Sequence, residues 1–281
     1  MLIISVDPTA FTIGSVTVQW YGIMVALAVI AMIVIITRQA TTLGVKRDLF
    51  GLFLWCILGG FLGGRLTYIF GHWEHFLADP GSILGFAGLA QNGMIIGVFA
   101  AALIYMAATK MRFSELLRIG DAVALATPLA LAIGRVGCTL NGCCFGKPSP
   151  FDSFPGAIQY TARSAIPRIA DGFAMYENGI TVPIFPAQMY HIAWNLISLA
   201  IVWRFRNRFK PPGSLLFFYL CLWAVGDIGI RFLRVGELVV PGLQQAQLLS
   251  LTILAIFLPW LIIKMRRKQP SSEYAAMTEN N

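Results

Sequence analysis

Charged residues are scarce in this sequence. They make up 12% of its 281 residues, while hydrophobic residues make up 57%. A soluble globular domain carries about 25% charged residues. The shortage therefore excludes a soluble domain of ordinary composition and predicts an integral membrane protein.

Histidine is also rare, which bears on metal binding. The three histidines, His72, His75 and His191, show no metal-ligand spacing, so they offer no second ligand pair beside the cysteines. A zinc site usually needs such a pair. We therefore expect no metal site.

The five cysteines fall into two groups. Cys56 and Cys221 lie in apolar stretches, where a thiol acts as a small hydrophobic side chain. Cys138, Cys143 and Cys144 follow the end of an apolar run. A disulfide or packed thiols are expected there in preference to catalytic thiols.

Long apolar runs set the fold class. We predict an all-α polytopic membrane protein, because about 20 apolar residues are needed to cross a bilayer. Seven runs qualify: 18–37, 50–70, 92–109, 119–137, 187–203, 214–234 and 245–263. A single domain over 1–268 would hold them, with a small extracytoplasmic cap over 138–186 and a short cytoplasmic tail over 269–281.

The net charge of +8 is explained by topology. Lys and Arg follow the first, third, fifth and seventh runs, and this places the N-terminus outside and the C-terminus in the cytoplasm. Nucleic-acid binding is not expected. The basic residues of these four groups are Arg38, Lys46, Arg47, Lys110, Arg112, Arg118, Arg204, Arg206, Arg208, Lys210, Lys264, Arg266, Arg267 and Lys268.

The charged residues that fall within or at the ends of the predicted spans include Arg65, Arg135, Asp227, Arg231 and Arg234. In this topology the four arginines lie toward the outer leaflet, where they would form an anion site for a phospholipid phosphate. Snorkelling of single arginines to the head groups is an open alternative. Asp227 and Arg231 are four residues apart, so a purely structural ion pair, or a pair between Asp227 and Arg135, also remains open.

Glycines in the second run predict close helix packing. Gly59 and Gly63, like Gly60 and Gly64, are spaced by four residues. Such small-xxx-small faces let two membrane helices approach each other closely.

The stretch "GRVGCTLNGCCFG" at 134–146 resembles the signature of the bacterial prolipoprotein diacylglyceryl transferase family. The resemblance extends to "FTIGSVTVQWYGIMV" at 11–25 and "FLGGRLTYIF" at 61–70, and to "FPAQMYH" at 185–191 and "RFLR" at 231–234. The motifs occur in the family's order.

The resemblance implies an inner-membrane enzyme with no metal or cofactor. It would transfer the diacylglyceryl group of phosphatidylglycerol to the lipobox cysteine of a prolipoprotein signal peptide. A paralogue that binds anionic lipid or precursors without catalysis, or a protein whose own thiols accept lipid or exchange disulfides, are the alternatives.

The resemblance also assigns site residues. Arg135, Arg231, Asp227 and Asn141 would be catalytic, and Arg135, Tyr21, Arg65, Asn92, Gly142 and Arg234 would bind phosphatidylglycerol.

The chain departs from the family pattern at several of its functional positions. Asn92 replaces the proposed histidine base, Cys143 replaces a glutamate, and the Arg–Glu order of the sixth helix is inverted as Asp227 and Arg231. Cys138 replaces an asparagine and His191 an acidic residue. The chain therefore matches the family pattern better at the residues that bind phosphate than at the residues that activate the thiol.

Overall fold

The computed structural model describes residues 2–14, 16–71, 73, 91–161, 176–177, 180–209, 211–236, 238–240 and 242–266. The predicted tail over 269–281 lies outside these residues. Seven α-helices are formed in the described part, and each overlaps one of the predicted runs. They are α1 Trp20–Thr42, α2 Phe50–Gly71, α3 Gln91–Ala108, α4 Phe113–Leu140, α5 Ala187–Phe205, α6 Ser214–Arg231 and α7 Gln245–Arg266.

Five of these helices are long and apolar enough to cross a membrane: α1, α2, α4, α6 and α7. Helix α3 contains a shorter apolar stretch, Gly93–Ala108. A mostly helical membrane protein is therefore confirmed, although short strands add a minor β component. The strands are β1 Leu2–Ile4, β2 Thr9–Ile13, β3 Val16–Gln19, β4 Ile158–Tyr160, β5 Tyr176–Glu177, β6 Ile180–Thr181, β7 Leu238–Val240 and β8 Leu243–Gln244.

The chain divides into two compact units, 37–119 and the combination of 1–36 with 120–281. The smaller unit is built around α2 and α3. A methyl group on Gly97 would collide with the Gly59 carbonyl oxygen, and one on Gly63 would lie 2.8 Å from the Gly97 Cα atom. The predicted small-residue face is thus confirmed, with α3 as its partner.

The larger unit holds α5 and α6 against α4. Its apolar core includes Leu125, Val202 and Tyr219. The Asp121 carboxylate accepts hydrogen bonds from the backbone N–H groups of Gly213 at 2.7 Å and Leu216 at 3.0 Å. This side chain satisfies N–H groups that every helix start leaves unpaired, and so it fixes the beginning of α6.

The predicted cap contains short strands in its described part. Strand β1 pairs with β4 in parallel, and Leu2 lies opposite Ile158. Ile4, Ile158, Tyr160 and Ile184 form a small buried core of their own. The N-terminus therefore belongs to the same substructure as the segment that follows α4. Residues 162–175 of the predicted cap lie outside the described residues.

Candidate functional site

A tight turn after α4 forms the centre of the site. Gly142 (φ 64°) and Cys144 (φ 62°) both have left-handed backbone conformations. Such a conformation is uncommon for a residue other than glycine, and it persists only where surrounding structure enforces it. The turn brings the Sγ atoms of Cys138, Cys143 and Cys144 within 4.8 Å of one another. All three are free thiols, so they pack without a disulfide. We call these residues the thiol cluster.

Buried partners hold this turn in place. The Gln188 side chain, on α5, donates a hydrogen bond to the Cys143 carbonyl at 2.8 Å and a second to the Tyr160 hydroxyl at 3.3 Å. Gly146 then pairs with Arg234 in an antiparallel bridge. The segment after the turn is thereby fixed against the chain that follows α6, which brings Arg234 to the thiol cluster.

Asp227 and Arg231 form an ion pair within α6. Both carboxylate oxygens of Asp227 lie 3.2 Å from Arg231 Nε, and the Ser250 hydroxyl donates to Asp227 Oδ2 at 3.0 Å. Asp227 is only 2% exposed. Of the alternatives left open by the sequence, the i,i+4 pair is the one formed. The Arg231 charge is therefore already balanced.

The end of α6 is fixed by a second side chain. Gln244 donates hydrogen bonds to the carbonyls of Arg231 at 3.1 Å and Arg234 at 2.9 Å. Its own backbone N–H donates to Gln247 Oε1 at 2.9 Å. Gln244 and Gln247 are both buried. Together they cap the helix end and set the position from which Arg234 projects.

Arg135 and Arg234 differ from Arg231 in their charge balance. They interact electrostatically with each other, and Arg234 also interacts with Arg231 and Cys144. Arg234 Nε is buried without a hydrogen-bond partner. Among the described residues, neither Arg135 nor Arg234 forms an ion pair with a carboxylate. Three of the four arginines predicted to converge therefore lie near one another. The positive charges of Arg135 and Arg234 are not neutralised by a carboxylate of the described residues.

Negative charge is favoured at the thiol cluster. Hydrogen bonding with the Cys138 and Cys143 thiols lowers the pKa of Cys144, and the positive charges of Arg234 and Arg135 lower it further. Burial lowers the pKa of Arg234, while the charge at Cys144 opposes that change. The two guanidiniums near Cys144 therefore supply positive charge for an anionic ligand.

Two polar residues of α5 belong to the site, although neither was predicted as a site residue. His191 is 5% exposed, its Nε2 atom has no hydrogen-bond partner, and its imidazole interacts electrostatically with Arg135, Arg231 and Arg234. Gln188 lies three residues earlier, so both side chains share one helix face. The polar residues of "FPAQMYH" at 185–191 were the sequence signal for both.

Three other predicted residues lie around the same turn. Tyr21 interacts electrostatically with Arg135 and packs on Gly137, where an added methyl group would lie 3.4 Å from its ring. Asn141 is buried, and its side chain interacts with the Cys143 thiol. Gly142 supplies the positive φ that the turn requires.

Arg65 and Asn92 belong to the smaller unit. Arg65 is buried in α2, and its guanidinium lies over the Tyr68 ring, 5.5 Å from the centroid. Asn92 lies in the first turn of α3, and its side chain falls outside the description. Their participation in the site remains a prediction.

An apolar groove of about 350 Å³ lies between α5 and α6. Two of its residues, Ile230 and Leu233, directly precede Arg231 and Arg234 in the chain. The groove is therefore lined in part by chain neighbours of Arg231 and Arg234. Its lining residues are Tyr190, Trp194, Val225, Gly226, Gly229, Ile230 and Leu233.

Comparison with known proteins identifies the family of this chain. Residues 8–263 match the family model described as prolipoprotein diacylglyceryl transferase. A phosphatidylglycerol–prolipoprotein diacylglyceryl transferase of Dehalococcoides mccartyi is 33% identical over 97% of this chain and 99% of its own length. Proteins of the same name from Acaryochloris marina and Lysinibacillus sphaericus are 30% and 27% identical, each over at least 96% of both chains. The chain belongs to the prolipoprotein diacylglyceryl transferase family.

Proposed function

We propose that this protein is a transferase of lipoprotein biosynthesis, which moves the diacylglyceryl group of phosphatidylglycerol to the lipobox cysteine of prolipoprotein signal peptides. The observation that carries the proposal is the pair of guanidiniums, Arg135 and Arg234, which have no carboxylate partner among the described residues. Two half-buried cations and an apolar groove between α5 and α6 suit a phospholipid, which joins an anionic head to apolar chains.

The seven helices cross the bacterial inner membrane in this proposal, with the N-terminus outside and the C-terminus in the cytoplasm. The exposed arginines of the 3₁₀ turn after α5, Arg206 and Arg208, lie on the cytoplasmic side, as the positive-inside rule requires. Arg135 and Arg234 then lie near the outer surface. Phosphatidylglycerol of the outer leaflet reaches them without crossing the bilayer.

The reaction is an alkylation of a thiol. The lipobox thiolate attacks C3 of the glycerol unit that carries the acyl chains, a carbon–sulfur bond forms, and the carbon–oxygen bond to phosphate breaks. The electron pair leaves on the phosphate oxygen, and glycerol phosphate is released. Negative charge increases on the departing oxygen, so cations placed there lower the barrier.

Arg135 and Arg234 hold the phosphate in this mechanism. Arginine suits the task because its planar guanidinium donates two hydrogen bonds to one phosphate group. Arg231 is balanced by Asp227, and the pair therefore positions the end of α6 and adds to the local potential. This division of labour refines the sequence prediction, which treated Arg231 and Asp227 as catalytic.

The remaining predicted residues take supporting roles. Tyr21 packs beside the turn near Arg135, and Asn141 and Gly142 maintain the turn itself. Arg65 and Asn92 remain predicted lipid-binding residues.

The proposal is tested in proteoliposomes of defined composition. Purified protein is supplied with a lipobox peptide, and mass spectrometry detects the added diacylglyceryl group while an enzymatic assay detects released glycerol phosphate. Product is expected with phosphatidylglycerol vesicles and absent with phosphatidylcholine vesicles. A peptide with serine in place of the lipobox cysteine is expected to stay unmodified.

The transfer rates of two arginine variants test whether Arg135 binds the phosphate. Arg135→Lys keeps the charge and loses the bidentate geometry, so transfer is expected to fall by about 10-fold or more. Arg208→Ala removes an exposed arginine elsewhere and should leave the rate unchanged. Binding of phosphatidylglycerol by the wild-type protein without any transfer would refute the enzymatic proposal and favour a non-catalytic lipid-binding protein.

A further inference from the structure

The thiol cluster has the geometry of a metal site that the sequence did not predict. Its three Sγ atoms lie within 4.8 Å of one another. Three thiolates bound to one zinc ion at about 2.3 Å in tetrahedral geometry lie roughly 3.8 Å apart. The observed spacing needs shifts of less than about 1 Å to reach that geometry. The expectation of no metal relied on a missing second ligand pair, but the single turn brings together three ligands.

The turn that presents these sulfurs is held rigidly by the surrounding structure. Cys143 N–H donates to the Cys138 carbonyl at 3.1 Å, and the Cys143 carbonyl accepts from the buried Gln188 side chain at 2.8 Å. Cys144 keeps a positive φ that costs about 1 kcal/mol or more for a residue with a side chain. These constraints fix the backbone that carries the three side chains before any ligand binds, which reduces the entropy cost of coordination.

We propose that Cys138, Cys143 and Cys144 bind one Zn²⁺ ion and leave its fourth position open for the thiol of the incoming prolipoprotein. An open fourth position distinguishes catalytic zinc sites from structural ones, which have four protein ligands. Soft thiolate ligands select zinc over magnesium and calcium.

The charges around the cluster suit such a complex. Three thiolates and one Zn²⁺ ion leave a single negative charge, and binding of a fourth thiolate adds another. Arg234 and Arg135 both interact electrostatically with Cys144. The two guanidiniums therefore stabilise an anionic zinc–thiolate complex while they hold the phosphate of the lipid, which places nucleophile and leaving group at one site.

The role of the zinc rests on the proposed function. A thiol that coordinates zinc loses its proton outright, and that proton passes to water. The sulfur then attacks the glycerol carbon, the carbon–oxygen bond to phosphate breaks, and the thioether product leaves the metal because it is a weaker ligand than a thiolate. No electrons are exchanged with an oxidant. The zinc would thus replace the histidine base whose family position is Asn92.

Metal content tests the site independently of transfer. Protein purified without a metal-affinity tag is dialysed and measured by inductively coupled plasma mass spectrometry, and about one zinc ion per chain is expected. Cys143→Ser and Cys144→Ser should lower zinc content at least 10-fold. Cys221→Ser, which alters a buried cysteine outside the cluster, should keep it.

Cobalt substitution provides a test on the unaltered protein. Co²⁺ bound by the thiol cluster should give intense thiolate-to-metal charge-transfer absorption, and a lipobox peptide should change that spectrum while its serine counterpart does not. A wild-type protein that stays free of zinc after incubation with zinc chloride would overturn the proposal. A disulfide between any two of the three cysteines, found after rapid thiol blocking, would also overturn it.

The two proposals fail separately. Full transfer by a zinc-free protein would refute the proposed role of the zinc and leave the transferase function intact. Stoichiometric zinc and a peptide-dependent cobalt spectrum without any transfer would support the thiol-binding site and refute the proposed function.

Discussion

The ion pair between Asp227 and Arg231 should stabilise the end of α6 on which Arg234 depends. Asp227→Asn removes the negative charge and keeps the shape of the side chain. The variant loses two charge-assisted contacts of 3.2 Å to Arg231 Nε. An amide can still accept the 3.0 Å hydrogen bond from Ser250.

The structure sets the size of the effect. Removal of one partner from a fully buried ion pair costs about 3–5 kcal/mol. Asp227 is 2% exposed, but the Arg231 side chain is 18% exposed and can recover part of its hydration. A loss of about 2 kcal/mol is therefore expected, within the range for hydrogen bonds to charged groups. For a chain of this size that corresponds to a fall in Tm of roughly 4–8 °C.

The assay is thermal unfolding in detergent, followed by tryptophan fluorescence. Asp152→Asn, at an exposed aspartate, serves as the matched control and should leave Tm unchanged. The double variant Asp227→Asn with Arg231→Gln should be less destabilised than the two single variants predict. Its loss in the free energy of unfolding should fall short of the sum of the two single losses by at least about 1 kcal/mol. Additive losses, or an unchanged Tm in Asp227→Asn, would refute the structural role assigned to the pair.

Two further predictions test the packing around the site and in the smaller unit. Gln244→Ala leaves the carbonyls of Arg231 and Arg234 without their donor, so it should cost about 1–2 kcal/mol and raise KM for phosphatidylglycerol more than it lowers kcat. The exposed neighbour variant Gln245→Ala should change neither quantity, and an unaltered KM in Gln244→Ala would contradict the positioning role. Gly97→Leu should destabilise the α2–α3 contact by at least about 1–3 kcal/mol, because even a methyl group there meets the Gly59 carbonyl. Thermal unfolding checks it against Gly71→Ala, which has open space and should be tolerated, and a Gly97→Leu protein as stable as wild type would refute the close contact.

Local patterns accounted for the helices and for contacts within them. Apolar length gave the approximate position of the seven helices in the described part of the chain, because long apolar runs favour helices that satisfy their own backbone. The spacing of Asp227 and Arg231 was enough to suggest their pair, since residues four apart share a helix face. The same reasoning indicated close packing at Gly59 and Gly63, although it did not identify α3 as the partner.

Contacts between distant segments could not be predicted in this way. The pairing of Leu2 with Ile158 and the bridge between Gly146 and Arg234 join positions far apart in sequence. The bridge, rather than any local pattern, brings Arg234 to the turn after α4. The thiol cluster was hidden for a similar reason: its sulfurs meet only because Gly142 and Cys144 adopt positive φ angles, which no spacing rule reveals.

The central claim is that Arg135 and Arg234 act on one phosphate group. A double-mutant cycle in kcat/KM for phosphatidylglycerol tests it directly, with Arg135→Ala, Arg234→Ala and the combined variant assayed in the same vesicles. Each single substitution should lower kcat/KM by about 100-fold, and the combined variant by about 1,000-fold or less, because the second loss affects a contact already weakened. Independent losses that multiply to about 10,000-fold, or a single variant with wild-type kcat/KM, would contradict the account.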